Sequence, residues 1–198
     1  GSSSVGVAAG TLAITGDVND YTGTTTVASG TTFSVGNGGT TGSPGSGEIA
    51  NGGAVVFNRS NALTVGNLIS GAGTVTQSGT GTTTLTGANT YSGTTTIATG
   101  ATLRLGDEGL TRSNGTTGPG TTGSIGTGAI VNNGTLIFRR SNALSMSNTI
   151  SGTGAVIQQG SGTTTLTANG SYTGATTISA GTLVLQNDAP TTASSIFS

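Results

Sequence analysis

Along much of the chain, apolar and polar side chains alternate one by one in runs of three to five residues. Leu103 and Leu105 flank Arg104, Phe33 and Val35 flank Ser34, and Leu183 and Leu185 flank Val184. A period of two sends one set of side chains inward and the other outward, so these runs read as short β-strands. Ser-Gly, Asn-Gly and Gly-Gly pairs separate them as turns. No stretch has helical periodicity, and Lys, Glu and Met, which favour helices, are nearly missing.

The strand pattern recurs at long range. TLAITGDVNDYTGTTTVASGTTFSV (11–35) returns as TTTLTGANTYSGTTTIATGATLRL (82–105) and as TTTLTANGSYTGATTISAGTLVL (163–185). Between these copies, residues 49–79 align without gaps to 130–160, with 17 of 31 positions identical. That is too many for shared composition alone. The units run approximately 11–81, 82–162 and 163–198, the third being incomplete. Their tyrosines, Tyr21, Tyr91 and Tyr172, stand 70 and then 81 residues apart, and the extra 11 residues fall in a turn-rich insertion placed at 110–128.

No unit of this kind can bury its own apolar face, so stacking into a solenoid is the architecture to expect. Three short strands with their corners take roughly 20 to 25 residues, so 70 residues would make about three coils. The prediction is an all-β chain without helices, a single right-handed parallel β-helix of about eight or nine coils. At about 4.8 Å per coil, the rod is roughly 40 Å long. Residues 194–198 written before residues 1–16 resemble 68–87. The third unit could therefore be continued by residues 1–10 of a neighbouring or tandem copy, and end-to-end self-association is the expected partnership.

Composition narrows the function. Only 6% of the 198 residues are charged, 38 are glycine, and Trp, His and Cys are absent. Abundant β-branched residues and a net charge of -1 argue against disorder, and glycine does not fall at every third place as in collagen. Five arginines without a polybasic run give no basis for nucleic-acid or anionic-membrane binding. No segment approaches 18 consecutive apolar residues, so no membrane insertion is expected. The opening GSSSVGVAAG lacks a signal peptide's charged head and apolar stretch, so the chain looks like a segment of something longer.

The motif L-T-G-x-N-T-Y-S-G-T-T-T-I-x-x-G-x-L-x-L resembles the passenger-associated transport repeat of bacterial autotransporters and related large surface proteins. Residues 82–105 match it best; 11–35 depart at Asp17, Val18, Asn19 and Asp20, and 163–185 carry Ala168 for a glycine. The resemblance implies an exported β-helical passenger, extracellular or displayed at the cell surface beyond an outer membrane. The translocating barrel would belong to a parent polypeptide. A structural, non-catalytic segment is the expectation, forming an extended rod and a head-to-tail extracellular fibre or matrix; the alternatives are an adhesin for a glycan or surface protein and a polysaccharide-active enzyme.

Few residues offer chemistry. Asp17, Asn19 and Asp20 could present oxygens to calcium, although a polar corner explains them better, and no metal or other cofactor is expected. Asp107 and Glu108, with Arg112 nearby, open the insertion and form the candidate ligand-contact loop. Without His, Lys or Cys, a base poised near neutral pH is hard to assemble there. Arg59, Arg139 and Arg140, in F-N-R-S-N and F-R-R-S-N, are a candidate basic stripe for acidic groups. The threonine rows fit cross-strand pairing better than a water-ordering face.

Overall fold

The computed structural model describes residues 2–110 and 116–186, and among these the chain is all-β, without helices. Twenty strands of two to four residues pair only in parallel, each with strands about one turn away in sequence. They stack into a three-sided solenoid of about nine turns.

The first side begins with β1 (Val5–Val7), β3 (Thr25–Val27), β5 (Ile49–Asn51) and β8 (Ile69–Ser70). After two turns without strand pairing it resumes with β15 (Leu144–Met146), β18 (Thr163–Leu166) and β20 (Thr182–Leu185). The second side is one sheet: β2 (Thr11–Ile14), β4 (Thr32–Val35), β6 (Ala54–Phe57), β9 (Thr74–Gln77), β11 (Thr95–Ile97), β13 (Ile130–Asn132) and β16 (Ile150–Ser151). The third is another: β7 (Leu63–Val65), β10 (Thr82–Leu85), β12 (Thr102–Leu105), β14 (Thr135–Phe138), β17 (Ala155–Gln158) and β19 (Thr176–Ile178).

Strict register turns the alternation of the sequence into columns. Leu12, Phe33, Val55, Val75, Thr95, Ile130 and Ile150 follow one another up the inside of the second side. Phe33, Phe57, Phe138, Leu103 and Leu105 have no exposed surface, so medium side chains in file form a core where few large ones exist.

A unit contains more than three turns. Eight strands, one tyrosine corner and one loop occupy ten sides, and ten sides of a three-sided rod make three turns and a third. Equivalent strands therefore advance one side per unit: β3, β11 and β19 lie on the first, second and third sides, and β4, β12 and β20 on the second, third and first. The expected count of about three coils per unit missed this third of a turn because the tyrosine corner and the loop each use a side without contributing a strand.

Candidate functional site

The tyrosines close corners. Tyr91 is fully buried, and its hydroxyl lies 2.7 Å from Thr95 Oγ1; Tyr172 repeats this with Thr176 at 2.8 Å. Burial pushes the Tyr91 phenol above its ordinary pKa, against the opposing hydrogen bonds with Thr95 and the Gly126 backbone. Gly126 lies against the Tyr91 ring and carbonyl, where any Cβ would overlap both, and Gly45 does the same for Tyr21.

Buried amides hold the remaining corners. Asn51 Nδ2 donates to Thr74 O at 2.9 Å while its Oδ1 accepts from Gly53 N; Asn132 repeats both bonds with Ala155 and Gly134. Asn67 donates to Gly45 O and Gly47 O, as Asn148 does to Gly126 O and Gly128 O. Each of these last two floors a groove, the first mostly of small polar residues and the second also lined by Ile125, Leu144 and Met146. One, of about 420 Å³, runs along Ser43–Ser46 and Thr64; its counterpart, of about 120 Å³, runs along Ser124–Thr127 and Ser145.

The candidate acids are engaged with the scaffold. Asp17 Oδ1 accepts from Gly42 N at 3.0 Å and faces Arg59 Nη1 at 3.4 Å. Asn19 turns its amide nitrogen toward Gly16 O and Ser43 O. Among the described residues, no three His, Cys, Asp or Glu side chains gather as a metal site would need. Asp107 is buried and accepts from Gly120 N, whereas the adjacent Glu108 carboxylate leaves it to accept from Ser161 N at 2.7 Å. Arg112 lies outside the described residues.

The proposed stripe of Arg59, Arg139 and Arg140 is not one surface. Arg59 follows β6 on the second side and Arg140 follows β14 on the third, so the third of a turn separates them. They are instead the same clamp built twice. Arg59 donates to Asn61 Oδ1 and Gly42 O, at 2.9 and 2.6 Å, and Arg140 to Asn142 Oδ1 and Gly123 O, at 3.0 and 2.8 Å. This equivalence makes Gly42–Gly47 the counterpart of Gly123–Gly128, so the eleven added residues lie between Gly106 and Thr121. The latter part of the insertion expected at 110–128 is thus common wall. Ile125, for example, is buried.

Arg104 escaped the sequence reading. It lies between two inward leucines of β12, so alternation placed it outward, but nothing in the sequence said that Arg139 would stand beside it. Burial, and then the charge of Arg139, hold its pKa below the ordinary arginine value.

The sequence matches the Passenger-associated-transport-repeat family at residues 9–32, 75–105 and 156–185. Three stretches of the chain are thus similar to this repeat. No curated protein and no solved structure matches it. The second repeat match spans β9 to β12 and the third β17 to β20, each with its tyrosine corner in the middle and one side further around the rod. Repeats and solenoid together fit an autotransporter passenger domain, a family of secreted or surface-exposed proteins whose repeats are typically structural.

Proposed function

We propose that the chain is a structural, non-catalytic part of a passenger exported across an outer membrane, where it forms an extended rod that stacks end to end. The observation that carries this reading is the overlap of the inner columns, the second side's running through the first seven turns and the third side's carrying the stack to the eighth. A chain with few charges spends its ordered length on one uninterrupted stack. Its acids support the reading, since Asp17 accepts from a backbone N–H of the next turn, Glu108 from one two turns on, and Asp107 from Gly120 N within its own loop.

End-to-end contact follows from what the terminal turns leave uncovered. Leu12 and Ile14 in the first turn and Leu183 in the last are only partly buried, and Leu185 is 42% exposed. A second copy seated on these edges would continue the ladders and cover the leucines. Electron microscopy of the purified chain tests this: unbranched filaments that shorten in Leu185→Glu are expected. Discrete rods at all concentrations, or filaments indifferent to that substitution, would refute stacking. Reducing-sugar release from polysaccharides that disappears in Glu108→Gln would refute the non-catalytic reading.

A second reading, adhesion to a glycan or surface protein through the loop between Gly106 and Thr121, is favoured by one observation. The two units share the same clamp and wall, yet only one carries the eleven added residues. Binding to cells or glycan arrays that is lost with this loop would establish it.

A further inference from the structure

The clamp built twice differs in one member. In the first unit a single oxygen, Asp17 Oδ1, accepts from Gly42 N at 3.0 Å and from Arg59 Nη1 at 3.4 Å. A backbone donor and a side-chain donor thus converge on one carboxylate oxygen. The Asp17 side chain is 53% exposed, so that point is open to solvent.

The second unit rebuilds both donors in the same frame. Gly123, like Gly42, holds a positive φ, 100° against 116°. A Cβ on Gly42 would overlap Ile14 O and Gly36 N, and one on Gly123 would overlap Leu85 O and Gly106 N, the residues at the same places a unit later. The next residue is anchored alike, Ser43 N donating to Gly16 O and Ser124 N to Gly87 O, each at 3.1 Å. Arg140 Nη1 lies 2.8 Å from Gly123 O, as Arg59 Nη1 lies 2.6 Å from Gly42 O. Gly123 N and Arg140 Nη1 are therefore set to converge as their counterparts do.

The acceptor is what changes. Counting on from Gly16 and Gly87, an exposed Ala88 stands at the place of Asp17. Among the described residues no carboxylate pairs with Arg140 and no acceptor meets Gly123 N. The two acids of this unit are directed elsewhere, Asp107 to Gly120 N and Glu108 to Ser161 N. Arg140 donates to neutral groups, Asn142 Oδ1, Gly123 O and Thr121 O. Burial holds its pKa below the ordinary arginine value. A half-buried cation of this kind gains from a charge-assisted bond to an anion.

We infer that Gly123 N and Arg140 Nη1 form a carboxylate-binding site, taking from an external molecule the group that Asp17 supplies in the first unit. One carboxylate oxygen suits both donors together, as Asp17 demonstrates. The site goes beyond the rod reading, since a rod needs no ligand.

NMR of the whole chain tests it, following the Gly123 amide and Arg140 Nε–H signals during titration with acetate at constant ionic strength. Saturable shifts of both are expected, with Gly42 and Arg59, already served by Asp17, unmoved. Ala88→Asp should supply the carboxylate from within and weaken the apparent affinity for acetate by about tenfold. Arg140→Gln should weaken the Gly123 response similarly, so either variant suffices should the other fold poorly. Asp17→Ala should conversely make Gly42 and Arg59 respond. Galacturonate and immobilised polygalacturonate then separate the sources. Binding of the free acids alone identifies a small ligand, and retention on the polymer that is lost in Ala88→Asp identifies a polymer-borne uronate. Signals that drift without saturation, or variants at Ala88 and Arg140 that bind acetate as wild type does, would overturn the assignment.

Discussion

Gln77 shows how much a single inward residue carries. Its Nε2 donates to Gly79 O at 2.9 Å and to Gly81 O at 3.0 Å, and Gln158 repeats the arrangement with Gly160 and Gly162. Gln77→Glu would set an acceptor against both carbonyls in a buried corner. A loss of about 2–3 kcal/mol is expected in chemical denaturation, and an unchanged midpoint would show that the corner does not depend on the amide. Tyr91 gives a pH-dependent counterpart. Its folded pKa lies above the ordinary value of 10.0, so its contribution is complete below pH 10 and is lost as pH rises through the higher folded value. Absorbance titration should show one tyrosine ionising late, together with loss of structure, and Tyr91→Phe should remove that late step. The inward and outward assignment of Leu103, Leu105 and Phe33 was legible from alternation. The bonds of Gln77 were not, because the carbonyls it meets belong to a corner that only the folded turn creates.

At the scale of the element, short strands succeed because each is one rung of a column. β9, with four residues, pairs with β6 below and β11 above, so its backbone groups are met on both edges. The strands and the parallel stacking could be read from the repeats. The side on which each strand lies could not, because the loop and the tyrosine corner take up sides silently. The extent of the insertion was blurred for the same reason, since 121–128 look like loop residues but fold as wall. Replacing 107–120 with 37–39, which removes the eleven added residues, should therefore leave the thermal midpoint within a few degrees of wild type, because loop length itself costs little. Collapse of the fold on calorimetry would mean that the insertion is structural.

Across the whole molecule, the third of a turn distributes whatever each repeat carries around the rod. The Asn51 clamp sits on the first side and that of Asn132 on the second; the Gln77 clamp sits on the second and that of Gln158 on the third. Equivalent polar corners thus lie on different sides, Gln77 and Asn132 on the second are separated by Ile97, and the two grooves face different directions. The fold class was legible in the sequence, while this screw relation emerges only from pairing. It also explains why Arg59 and Arg140, equivalent in sequence, do not share a surface. The most direct measurement of the screw is electron–electron distance spectroscopy on paired spin labels. Ser34, Val56, Thr76 and Thr96 form one outward row, so labels at Ser34 and Thr96 should stand three rungs apart, about 14 Å between their backbones. Labels at the equivalent positions Thr26 and Thr96 should lie farther apart, on different sides; a shorter Thr26–Thr96 distance than Ser34–Thr96 would contradict the account.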